Sequence, residues 1–249
     1  MPNQHGAWAM LAVPFLTGVV RGGPIWAHLL LLVCWLVGYF AFFAAGQWLR
    51  SRRSTRLRTP VLVYGLATLA FGAPLVAMRP DLLVWGAVYL PLAAISLGFS
   101  ARRDDRALLN DAATIIAACL MTPVAYQLGQ GSVPWSDSLD WHRVWWATVA
   151  LLCYFFGTSL YVKTVIRERT NAAYHRASVG YHAAVVLFWA IAGWWGAPIR
   201  APVWCTLLGF FAVMTIRAAV MAGRRVKPMS VGLGELAAST VLLAVVLAV

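Results

Sequence analysis

Charge is what this sequence has least of. Only 11% of its 249 residues are Asp, Glu, Lys or Arg, against about 25% in an ordinary soluble domain. That deficit excludes a water-soluble globular fold, because too little polar side chain is present to cover one. Acidic residues are the scarcer sign, eight against twenty Lys and Arg, for a net charge of +12. Such an excess can mark a nucleic-acid binder. Here the cations sit in short connections between apolar runs, where orientation rules account for them, so no nucleic-acid partner is expected. Cysteine is sparse. Cys34, Cys119, Cys153 and Cys205 each lie inside an apolar run with no CxxC pair. They read as small buried apolar residues, so neither a disulfide framework nor a metal site is expected. A basic leader is lacking too: the opening MPNQHGAWAML runs directly into apolar sequence, and no cleavable signal peptide is expected. No linker or low-complexity tail interrupts the chain, which points to a single transmembrane helical domain over residues 1–249.

Hydrophobic sequence is what is present, at 61% with 13 Trp. Apolar runs of about 18 or more residues recur from end to end. The fold class expected is all-α, a polytopic transmembrane bundle of about nine helices. The spans are expected near 6–20, 25–49, 60–78, 82–100, 111–128, 144–165, 177–195, 203–221 and 231–249. Pro14 inside the first and Gly22-Gly23-Pro24 after it suggest a broken or tilted helix. The longest connection on the sparsely charged side, 129–142, reads as an interfacial turn anchored by Trp135 and Trp141.

Orientation follows from the cations. Fifteen of the twenty Lys and Arg fall in the connections after spans two, four, six and eight; Arg21, Arg79, Arg143 and Arg200 fall on the opposite side, and Arg217 lies within span eight. The imbalance predicts a cytoplasmic N-terminus and an external C-terminus, in a bacterial inner (plasma) membrane.

The densest polar stretch is 160–182, LYVKTVIRERTNAAYHRASVGYH. If it stays helical, Lys163, Arg167, Asn171 and His175 are four apart and share a face, which Ser178 and His182 prolong. A stripe of donors at the mouth of a membrane bundle suits an anionic group; the plainer alternative is a set of charges that fix topology. Behind it Tyr154 and Thr158, one turn apart, are placed to line a polar cavity, unless Thr158 simply bonds back to its own helix. Three further candidates lie on the same predicted side. His5, in Asn3-Gln4-His5-Gly6, is a donor or proton relay. Gln47 and Arg50 close span two. Asn110 or Asp111 is a good N-cap for span five, while Asp104 and Asp105 are placed to pair with nearby arginines. Glu235 is the one carboxylate expected within a span interior, and Arg217 is its natural partner should their helices pack.

PNQHGAWAML with the Pro14 that follows, together with SLYVKTVIRER and its His-bearing next helix, resembles the bacterial YwiC-like membrane proteins. That family implies no activity. The order of spans and loops is also distantly similar to UbiA-type intramembrane prenyltransferases, which have nine helices and functional loops after helices two and six. That likeness implies a cavity open to the cytoplasm and a prenyltransferase-like activity. The chain departs from it where Mg²⁺-diphosphate is bound. QWLRSRRSTRLRTP after span two has no Asp, and the loop after span six has only Glu168 among its cations. Hard Mg²⁺ needs carboxylate or phosphate oxygens, so no cofactor is expected and whether the chain is an enzyme stays open. The reading carried forward is binding of an anionic, phosphorylated lipid (isoprenoid in the UbiA case) or a small anionic metabolite. Membrane lipids are the expected surroundings. A small-anion transporter and a non-enzymatic assembly subunit remain alternatives.

Overall fold

A computed structural model describes residues 5–131, 137–224 and 226–249, with side chains from Trp8 onward. Asn3, Gln4, the side chain of His5, Trp135 and Arg225 lie outside the described residues. Ten α-helices follow one another: α1 (His5–Gly22), α2 (Ala27–Arg50), α3 (Arg58–Met78), α4 (Gly86–Ala101), α5 (Leu108–Cys119), α6 (Met121–Gln130), α7 (Leu139–Ile166), α8 (Ala172–Trp194), α9 (Ala201–Met221) and α10 (Pro228–Leu247). Among the described residues, eight stretches are long and apolar enough to cross a membrane, α5 and α6 counting together, and a shorter apolar helix runs Trp8–Gly22. In hydrocarbon every backbone N–H and C=O must find its partner within the segment, which is why apolar runs of this length become helices. The surface fits the same solvent: within the apolar windows of α2 and α3 only 6% of residues are buried, and Leu29, Leu66, Leu69 and Leu90 stand exposed. The chain is a multi-pass membrane protein.

Several helices begin earlier than the apolar runs suggest. α7 starts at Leu139, not 144, because Ser138 caps it, its hydroxyl accepting from the Trp141 N–H at 3.3 Å. Trp141 is therefore no interfacial anchor; it lies in the first turn of α7 and is 1% exposed. α8 starts at Ala172, not 177. The Asn171 side chain accepts from the N–H groups of Ala173 and Tyr174 at 3.1 and 3.3 Å and satisfies donors no helical carbonyl reaches. α5 starts at Leu108, so Asn110 and Asp111 are inside its first turn and neither is the N-cap. α1 is a continuous α-helix through Pro14.

Two compact units divide the chain, one made of residues 18–136 and the other of 1–17 with 137–249. In the first, α2 packs along α3, and α4 against α2 and α5. The end of α1 meets α6 at near backbone contact. A Cβ on Gly18 would collide with the Thr122 carbonyl, and one on Gly22 would stand 2.8 Å from the Tyr126 carbonyl oxygen, so only glycine permits the approach. Arg79 closes the free end of α6, donating to the Leu128 and Gln127 carbonyls at 2.8 and 3.1 Å. Asp81 grips the same guanidinium at 2.9 and 2.7 Å and accepts from Gln127 Nε2 at 2.7 Å. Orphan C-terminal carbonyls are thereby satisfied by a fixed cation.

The second unit is built on α8, packed against α9 and α7, with α10 against α7 and α9. Trp189, 0% exposed, stacks on Phe211 with ring centroids 6.0 Å apart and meets Trp146 at 5.6 Å. A second apolar cluster joins Tyr161, Val165, Ala218 and Val231 toward the ends of the same helices.

Candidate functional site

Polar side chains inside a membrane are costly unless paired, and the unit of residues 137–249 concentrates several. Glu235 projects from α10 and is 4% exposed. Its Oε2 accepts from Tyr154 Oη at 2.9 Å and Thr158 Oγ1 at 2.7 Å, both one turn apart on α7. Tyr154 Oη also reaches the Glu235 carbonyl at 3.0 Å. The spacing of four places both hydroxyls on one face of α7. The other carboxylate oxygen, Oε1, stands 2.6 Å from Nη1 of Arg217 on α9. That contact is close in distance yet outside hydrogen-bond angles, for Oε1 counts among the buried atoms without a hydrogen-bond partner among the described residues.

The Arg217 guanidinium lies 4.1 Å above the Tyr161 ring, a cation–π contact that holds its plane. Its Nε and Nη2 are buried and have no hydrogen-bond partner among the described residues. From α8 comes His182, whose Nδ1 is 2.7 Å from the Ser178 carbonyl. Facing a carbonyl, Nδ1 must carry the proton. Its Nε2 edge lies against Gly157 of α7, where a Cβ would come within 2.9 Å. One turn before it, Ser178 Oγ is buried and unpartnered among the described residues, as is Nε2 of His175 a further turn back.

Tyr154, Thr158, His182 and Arg217 line a common crevice with Cys153, Val185, Phe211 and Met214, too tight for a water molecule. α7, α8 and α9 supply its walls. Arg217 is about 6 Å along the axis from the end of α9, and Glu235 about 10 Å from the start of α10, so the pair lies inside the helices and away from their ends.

The stripe read from 160–182 is not formed. α7 ends at Ile166, and the N–H groups of Arg167 and Glu168 both turn back to the Lys163 carbonyl, at 2.9 and 2.8 Å. Lys163 is half-buried at the end of α7, while Arg167 and Asn171 are exposed in the turn. Asn171 spends its carbonyl oxygen on the α8 cap and its Nδ2 on Glu168, at 3.0 Å. What survives as a face is His175, Ser178 and His182 on α8. Gln47, Arg50, Asn110 and Asp111 fall in the other unit. Arg50 pairs with Asp105 at 3.2 Å and also donates to Gln47. Asn110 is buried, accepting from Ser96 Oγ at 2.6 Å and donating to the Asp105 carbonyl at 2.7 Å, and Asp111 sits in the first turn of α5. His5 begins α1, its side chain outside the described residues.

Against known proteins, a family model of YwiC-like proteins matches residues 1–126. A protein of Bacillus subtilis (strain 168), "Uncharacterized protein YwiC", is 37% identical over 196 residues, covering 78% of this chain and 79% of its own. The chain belongs to the YwiC-like family. A Haemophilus influenzae protein, described as uncharacterized, is 28% identical over 239 residues, 96% of this chain and 93% of its own. That alignment, at 96% of this chain, reaches through the residues that include Arg217 and Glu235. No solved structure matches the chain.

Proposed function

We propose that this YwiC-like protein binds the phosphate head group of an anionic lipid at Arg217, from the side of its basic loops, with that side and the N-terminus in the cytoplasm of a bacterial cell and the C-terminus outside. The observation that carries the reading is the Arg217 guanidinium. Two of its nitrogens are buried and unsatisfied among the described residues, and an arginine fork matches phosphate geometry. Such donors are costly to leave unmade, and a bound oxyanion would satisfy both. The buried Ser178 hydroxyl, unpartnered among the described residues, offers a further donor one turn from His182. The crevice must widen to admit the group, by movement of α8 or α9 relative to α7. Lipid tails fit the setting, since the helices that frame the site present Leu187, Phe188, Val213 and Ile216 outward. The distant UbiA-type likeness adds the expectation that an isoprenoid chain is one such tail.

Native mass spectrometry of the protein extracted in mild detergent tests this. Wild type should retain a phosphate-bearing lipid, and Arg217→Gln should lose it while Arg167→Ala keeps it. Equal retention by wild type and Arg217→Gln, or none by either, would count decisively against the reading.

A further inference from the structure

Arg217 is already engaged by one anion, and a second cannot join without consequence. Glu235 sits in the site as a carboxylate: Tyr154 and Thr158 both donate to Oε2, and Arg217 Nη1 touches Oε1. Two negative groups on one guanidinium repel strongly where little water screens them. The 2.6 Å contact between Arg217 Nη1 and Oε1 is the link for which an oxyanion arriving at the same guanidinium competes. We propose that Glu235 is a displaceable internal counter-ion, and that each anion bound at Arg217 is accompanied by one proton taken up on the Glu235 carboxylate. The inference rests on the reading that Arg217 holds the anion.

The balance is simple. Glu235 carboxylate plus one proton from water gives the neutral acid, while the guanidinium keeps its charge and exchanges the carboxylate for the phosphate. Protonated at Oε1, Glu235 can donate to the arriving oxyanion and still accept from Tyr154 and Thr158 at Oε2. α7 contributes the Tyr154 and Thr158 hydroxyls and the Tyr161 ring, α9 contributes Arg217, and α10 itself contributes Ser239, bonded to the Leu236 carbonyl. α8 contributes His182, whose Nε2 is a second basic atom on the crevice; it is the competing site for the proton and needs its own control.

Isothermal titration of the full chain in detergent with dihexanoyl phosphatidylglycerol tests the coupling. This phosphodiester does not titrate between pH 6 and 8, so any proton counted belongs to the protein. The titration is run at pH 8 in two buffers of different ionisation heat. The expected result is uptake close to one proton per lipid in wild type and in His182→Asn, with affinity falling about tenfold per pH unit. In Glu235→Gln the uptake vanishes and binding at pH 8 tightens about tenfold or more. Binding with no buffer dependence in wild type, or uptake that persists in Glu235→Gln, overturns the inference and leaves the anion site standing. Absence of binding in wild type overturns both. The wild-type buffer comparison stands by itself should Glu235→Gln fail to fold.

Discussion

At the scale of single residues, the account turns on Arg217 and Glu235. Removing one partner of a buried ion pair leaves the other charge uncompensated, a loss of about 3 kcal/mol or more. Glu235→Ala and Arg217→Ala should therefore each lower the unfolding midpoint in detergent markedly. The double substitution should be less harmful than the sum of the two, because neither charge is then left stranded. An additive pair would show that the contact is incidental. Tyr154→Phe removes a donor to both the Glu235 side chain and its carbonyl and should cost about 1–3 kcal/mol, read by the same unfolding series. Some of this was legible in the sequence. A lone carboxylate in a span interior and a lone arginine in the neighbouring span, at similar depth, call for each other, and the Tyr154–Thr158 spacing shows one α7 face. Other parts were not legible. The stripe from Lys163 to His175 assumed an unbroken helix, and nothing in residue spacing reveals that the chain turns at 167–171. The crevice walls Cys153, Val185, Phe211 and Met214 are ordinary apolar residues until three helices bring them together.

At the scale of elements, the spans were readable because hydrocarbon admits almost nothing but helices. Their starts were less so, since caps such as Ser138 and Asn171 lie outside the apolar runs. Reading the onset of apolarity as the start of the helix placed α7 and α8 too late and turned Trp141 into a surface anchor. Packing was invisible as well: Gly18 and Gly22 look like any helical glycines until α6 lies against them. Gly18→Val should push α1 from α6, because the added atoms meet the Thr122 backbone, which cannot swing away. The expected outcome is a loss of several kcal/mol, or failure to accumulate in the membrane. Gly65→Val on α3, where a Cβ meets nothing within 4 Å, should leave the unfolding midpoint nearly unchanged. Equal behaviour of the two would contradict the close approach.

At the scale of the whole molecule, composition points to a membrane setting, and the cation bias carries the proposed orientation. A cysteine at Ser54, in the arginine-rich connection after α2, and one at Ala197, after α8, should react oppositely with a membrane-impermeant maleimide in a background lacking the four native cysteines. Ala197→Cys is expected to label in intact cells and Ser54→Cys only in inverted vesicles. The reverse would invert the topology and move the mouth of the Arg217 site to the outer face. The claim on which the functional reading stands is narrower, that Arg217 takes a phosphate. The most direct measurement is an experimental structure with dihexanoyl phosphatidylglycerol bound. The account predicts phosphate oxygens against Nε and Nη2 of Arg217, with the crevice beside His182 and Thr158 opened and Glu235 drawn off the guanidinium. A phosphate held only by exposed arginines such as Arg52 and Arg167, with the Arg217–Glu235 pair still closed, would contradict it.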